Sequence, residues 1–184
     1  MKHVRGMTLI ELMITLTIVA IMMGLAAPSL KQTIQSNNMT NAVNSFLADA
    51  RFARSESTRR GGNVSLCQTD DPDDALPTCS TAVGTKGWAK GWVVTWTNPA
   101  GTRSVLRVQS GFSSVDSILE SGGGPTTLAF NATGRLSMTA QAIQLNFGGS
   151  KFATSLKRVV CVSVGGRARV AGDGGTSCDA TTSE

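Results

Sequence analysis

Hydrophobic and polar positions divide the chain into three regimes. From Met7 to Ala27 the run MTLIELMITLTIVAIMMGLAA is almost unbroken in apolar character for 21 residues. As a helix it is about 31 Å long, the thickness of a bilayer core. From Lys31 to Arg60 polar residues dominate, but Ile34, Val43, Phe46, Leu47, Ala50 and Ala53 recur at helical spacing, which predicts an amphipathic continuation of the same helix. Arg59 and Arg60 followed by Gly61 and Gly62 mark its end, because cations suit the C-terminal dipole and glycine suits the cap. Beyond Gly62 the period falls to two. Short runs rich in Val, Thr and Ser predict antiparallel strands at 63–67, 91–97, 103–109, 126–130, 135–138, 142–147, 158–164 and 167–171. Turn residues separate several of them, as in Asn98-Pro99-Ala100-Gly101, Asn131-Ala132-Thr133-Gly134 and Gly165-Gly166. The pattern predicts an α+β fold, a long N-terminal helix whose second half packs on antiparallel sheet. The segments are 1–6, a short basic leader; 7–30, a transmembrane helix; 31–62, an amphipathic helix; and 63–184, a β-rich globular domain.

Composition narrows the chemistry. The formal charge is +5, and the single histidine, His3, lies in the leader. Removing residues 1–6 takes away Lys2 and Arg5 and leaves 15 basic against 12 acidic residues, a charge of +3. A chain processed in this way has no imidazole for acid–base work or metal binding, no nucleophile motif and no standout carboxylate pair, so we expect no enzyme, catalytic residue, cofactor or metal. The acid-rich stretch Asp70–Asp74 lacks the spacing of a calcium loop and reads as solvated. Cys67, Cys79, Cys161 and Cys178 form no C-x-x-C pair. They are expected to be disulfides of an exported domain. Four cysteines admit three connectivities; the local pairs Cys67 with Cys79 and Cys161 with Cys178 are favoured, each worth about 3 kcal/mol on a chain-entropy estimate.

Glu11 sits inside the apolar run, where a carboxylate costs on the order of 2.5–3.5 kcal/mol and needs a partner. An ordinary signal peptide would not carry it. Gly6-Met7-Thr8-Leu9-Ile10-Glu11-Leu12, preceded by Lys2 and Arg5, resembles the processing site of type IV prepilins and type II secretion pseudopilins. The resemblance implies cleavage after Gly6 by a prepilin peptidase and N-methylation of Met7. It also gives Glu11 a role in bringing subunits into register, with the new Met7 amine of a neighbouring copy as its partner. Pro28 falls where this family commonly places a proline, at the exit from the membrane. The implied location is the inner membrane with a periplasmic ectodomain, then a fibre at the cell surface built with other major and minor pilins.

No Asp or Glu occurs between Glu120 and Asp173, a stretch that holds Arg135, Lys151, Lys157, Arg158, Arg167 and Arg169. Arg167 and Arg169 are two apart, so on a strand they share a face at about 6.7 Å spacing, suited to neighbouring phosphates. The same spacing suits a solvated edge strand, where basic residues discourage pairing with other chains. Ala50-Arg51-Phe52-Ala53-Arg54-Ser55-Glu56-Ser57, Val64-Ser65-Leu66-Cys67, Gly91-Trp92-Val93-Val94, Phe130-Asn131-Ala132-Thr133-Gly134-Arg135 and Val159-Val160-Cys161-Val162 together resemble the GspH/FimT family of minor pilins and pseudopilins. FimT-type members carry a C-terminal Gly-Arg-x-Arg motif implicated in binding DNA during natural transformation, which Gly166, Arg167, Ala168 and Arg169 match. The resemblance implies a type IV pilin-like fold and sequence-independent binding of double-stranded DNA by Gly166, Arg167 and Arg169. Our own reading of the charges adds Lys157 and Arg158 as electrostatic support. Trp88, Trp92 and Trp96 offer faces on which bases could stack, but Trp92 and Trp96 share strand parity and are expected to fill the core. The competing function is structural: a subunit that primes or caps a type IV pilus or a type II secretion pseudopilus.

Overall fold

The computed structural model describes residues 7–122, 124–137, 141–150, 152–171 and 177–178, with backbone only at 25–29. The leader with Gly6, Met138 and Lys151 lie outside the described residues. One helix, α1 (Leu9–Arg60), runs through two compact units that meet between Asn37 and Asn38.

In the first unit the helix opens on a capping box. Thr8 Oγ1 accepts from the Glu11 N–H at 3.3 Å, and the Thr8 N–H donates to Glu11 Oε2 at 3.4 Å. Thr15 and Thr17 turn their hydroxyls onto the carbonyls of Leu12 and Met13, so neither leaves a polar group bare in an apolar setting. Leu9, Ile10, Leu12, Met13, Ile14, Leu16, Ile18, Val19, Ile21, Met22 and Met23 are all exposed, on every side of the helix. Among the described residues no helix is long and apolar enough to cross a membrane. The expected span includes positions 25–29, whose side chains are not described. Ile34, expected on the packed stripe, is exposed.

In the second unit the helix buries Met39, Ala42, Val43, Phe46, Leu47, Ala50 and Ala53. Phe46 is their hub, edge-on to Trp88, Trp92 and Phe147 at centroid distances of 5.6, 5.5 and 5.8 Å. The helix stops where the Gly62 N–H reaches back to the Ser57 carbonyl at 2.7 Å, closing a Schellman-type cap.

Eight strands follow: β1 (Val64–Gln68), β2 (Gly91–Thr97), β3 (Arg103–Ser110), β4 (Ser117–Glu120), β5 (Thr127–Phe130), β6 (Ile143–Gly148), β7 (Arg158–Val162) and β8 (Ala168–Val170). They form two antiparallel sheets, β3-β2-β1-β5 and β4-β6-β7-β8. Of the strand expected at 135–138, the described residues 135–137 form one bridge, between Phe130 and Leu136, and β4 arises where no strand was expected. Cys67 is bonded to Cys79 and Cys161 to Cys178. The second bond closes a loop that contains the whole of β8.

Asp49 ties the helix to the first sheet. Its buried carboxylate accepts from Trp92 Nε1 and from Arg107 Nη1, each at 2.8 Å, and the Arg107 guanidinium lies 4.1 Å from the Phe52 ring centroid. Trp96 is partly buried, with Arg60 over its ring at 4.8 Å, so none of the three tryptophans is an open stacking platform.

Candidate functional site: an arginine groove between helix and hairpin

Three hairpin turns share one plan. In 98–102, 131–135 and 163–167 the first residue's N–H donates to the fifth residue's carbonyl, and the fourth residue, a glycine, donates to the first carbonyl. Those glycines, Gly101, Gly134 and Gly166, have φ of 84°, 74° and 76°. This is the three-residue loop that ends on a left-handed residue. The last turn joins β7 to β8 and presents Arg167 and Arg169, and β8 is the edge of its sheet.

Gly166 is buried, and a Cβ there would stand 2.0 Å from the Gly134 carbonyl oxygen and 3.3 Å from Phe130. The absent side chain therefore serves an internal contact between two turns. A Leu136 N–H to Val164 carbonyl bond of 3.0 Å seals the same junction. On its other side Gly134 packs under Arg54, whose Cγ would lie 3.0 Å from an added Cβ.

The stacked turns set a cavity of about 280 Å³ against the flank of α1. Arg51 and Arg54 line one wall, Arg167 and Arg169 the other, and Ser163, Gly166 and Ala168 lie between. Arg51 and Arg167 are exposed, while Arg54 and Arg169 are half-buried. Among the described residues none of the four guanidiniums forms an ion pair or hydrogen bond. The acids of this part of the helix are occupied elsewhere: Asp49 by Trp92 and Arg107, Glu56 by Arg59 and Arg60. Hydrogen bonds from Arg59 and then Arg60 hold the Glu56 carboxyl down to about 2, well below its ordinary range.

Lys157 and Arg158 belong to a different cavity, of about 590 Å³, together with Ser117, Glu120 and Asn146. Arg158 Nη1 donates to the carbonyls of Ser155 and Lys157, each at 2.9 Å. Four strand steps, roughly 14 Å, separate Arg158 from the hairpin end of β7. The structure thus brings Arg167 and Arg169 together with Arg51 and Arg54, and leaves Lys157 and Arg158 apart. Arg51 and Arg54 were missed as site residues, although their three-residue spacing on a helix, with no acid at i±3 or i±4 of either, was a legible signal. Among the described residues no cluster of His, Cys, Asp and Glu is placed to hold a metal ion.

Residues 42–166, two-thirds of the chain, match the family described as Type II transport protein GspH. The chain belongs to the GspH family. Residues 1–27 match the prokaryotic N-terminal methylation motif, so this GspH-family chain has the start of a prepilin as well as the domain, and it is a minor pilin or pseudopilin. The match ends at Gly166, so Arg167 and Arg169 lie just past it. Among curated proteins, none matches the sequence. Two crystal forms of the type IV minor pilin FimU of Pseudomonas aeruginosa (strain PAO1) share the GspH-family fold seen here. One, in space group P21, gives a TM-score of 0.58 at 21% identity over 78% of this chain and 96% of that one. The other, in space group P65, gives 0.55 at 21% over 76% and 99%.

Proposed function

We propose that this GspH-family subunit is a minor type IV pilin that binds double-stranded DNA without sequence preference and supports its uptake in natural transformation. The observation that carries the reading is the hairpin at the edge of the second sheet, where Arg167 and Arg169 form no ion pair among the described residues, in a stretch of sequence free of Asp and Glu from Ser121 to Gly172. Contacts of this kind bind the phosphate backbone, gain affinity from counterion release and weaken steeply with salt. Gly166 supports the motif by shaping the turn. Lys157 and Arg158, which line a different cavity, add only to the long-range field.

In the same proposal the chain is cut after Gly6 and methylated at Met7 by a prepilin peptidase, and residues 7–30 hold it in the inner membrane until it joins a fibre with other pilins. Glu11 then exchanges its cap on Thr8 for the Met7 amine of a neighbouring copy. The all-round exposure of the apolar side chains from Leu9 to Met23 supports this, because such a helix needs lipid or other helices around it.

The test is fluorescence anisotropy of the full chain in non-ionic detergent with labelled duplexes of two unrelated sequences. Equal binding of both, falling with salt and lost in Arg167→Ala/Arg169→Ala, is expected. Unaltered affinity in that variant would reject the hairpin. A second reading, a subunit that primes or caps a pilus or secretion pseudopilus, is favoured by the match to the family described as Type II transport protein GspH. Deletion separates the two readings, since loss of transformation with pili and secretion intact supports DNA capture, and loss of pili supports priming.

A further inference from the structure

We infer that Arg51 and Arg54 on α1 are phosphate-contacting residues, forming with Arg167 and Arg169 a two-walled clamp for the phosphodiester run of one DNA strand. The inference rests on the reading that the hairpin binds DNA, and it adds a wall that the Gly-Arg-x-Arg motif does not contain.

Three observations lead to it. The four side chains line a single cavity of about 280 Å³, with only Ser163, Gly166 and Ala168 between them, so nothing bulky blocks a backbone from lying along it. Arg51 and Arg54 are neighbours at i,i+3, an unfavourable like-charge spacing on a helix, and no acid sits three or four positions from either to offset it. The acids that are near in sequence, Asp49 and Glu56, have their hydrogen bonds committed to other partners. A fold that lines one groove with four guanidiniums, none ion-paired among the described residues, accepts a cost that an external polyanion removes.

The two walls are also held in fixed relation. Gly134 lies between them, under the stem of Arg54 and against Gly166, so the helix pair and the hairpin pair are set by contacts of backbone and small residues. Pre-set cations lose less freedom on binding than cations on independent loops.

The test compares Arg51→Gln/Arg54→Gln with Arg167→Gln/Arg169→Gln in the full chain in non-ionic detergent, using a labelled mixed-sequence duplex across a salt series. Each phosphate contact contributes about −0.9 to the slope of log affinity against log salt. Four contacts predict a loss of about 150-fold between 50 and 200 mM salt, and two predict about 12-fold. Each pair variant should therefore show the shallower dependence, and Arg51→Lys/Arg54→Lys should restore the steeper one. If the hairpin variant loses affinity and the helix variant keeps both affinity and slope, the clamp is overturned while hairpin binding stands. No binding by the unaltered protein at low salt overturns both. Loss of incorporation into fibres with DNA affinity unchanged assigns Arg51 and Arg54 to an acidic protein neighbour and overturns the clamp. A helix variant whose weakened binding is not restored by lysine and accompanies a lowered melting temperature has lost its fold, which also overturns it.

Discussion

Gly166→Ala separates a glycine that shapes a turn from one that clears space for a ligand. At φ 76° an alanine adopts a left-handed conformation that costs about 1–2 kcal/mol. Its Cβ would also stand 2.0 Å from the Gly134 carbonyl oxygen. That oxygen is backbone, and its turn is pinned by a Gly134 N–H to Asn131 carbonyl bond of 2.9 Å and by bonds from Thr133 and Arg135 to Asn131 Oδ1. Relief must come from separating the two turns, an overpacking cost of about 1–3 kcal/mol. A total of about 3 kcal/mol lowers the melting temperature by about 6–12 °C in a domain of this size. Gly165 is the control. It has no positive φ, and the nearest atom to an added Cβ is Ser163 Oγ at 3.6 Å, so Gly165→Ala should be neutral or slightly stabilising. The assay is thermal unfolding by circular dichroism, with duplex anisotropy on the same samples. A Gly166→Ala protein with unchanged melting temperature and lost DNA affinity would refute the internal role of this glycine.

Asp49→Ala should destabilise by about 2–4 kcal/mol in chemical denaturation, because it strands the buried Trp92 N–H and frees Arg107; Asp49→Asn, which still accepts from Trp92, should cost less. Glu56 has a folded pKa of about 2 against an ordinary value of 4.5, so its stabilising effect is complete above pH 4.5 and fades as pH falls toward 2. Glu56→Gln should therefore flatten the acid limb of a stability–pH curve in that window and leave the curve's shape near neutrality unchanged. Removing Cys161 and Cys178 together should cost about 3 kcal/mol on the chain-entropy estimate, measured by urea unfolding against the oxidised parent.

Strands rich in Val and Trp and bounded by turn residues were legible in the sequence. Gly91–Thr97 falls where the pattern placed it, since one face meets Phe46 and its neighbours. β4 was not legible, because Ser-Ile-Leu-Glu is too short to show a period, and β6 is the one strand it pairs with, apart from a lone bridge between Ile118 and Gly87. Of the strand expected at 135–138, the described residues do not form a ladder, because the Asn131 side chain takes the Arg135 N–H and the Leu136 N–H goes to the Val164 carbonyl. The site was half legible. Charge counted along the chain groups Lys157 and Arg158 with Arg167 and Arg169, but a straight strand carries the two pairs to different cavities. Arg51 and Arg54 are more than a hundred positions from the hairpin, and only the docking of α1 beside stacked turns joins them to it.

β8 pairs with β7 through three residue positions, and as an outermost strand it can be unzipped one rung at a time. The bond from Cys161 to Cys178 bounds that failure. Both arginines lie inside the covalent ring it closes, so a pull that peels β8 away leaves Arg167 and Arg169 on a leash anchored at Cys161, near the end of β7. When tension drops, the strand is still beside its neighbour and can re-pair without a search. The ring acts as a mechanical stop, giving the shortest strand of the sheet a short travel and a return.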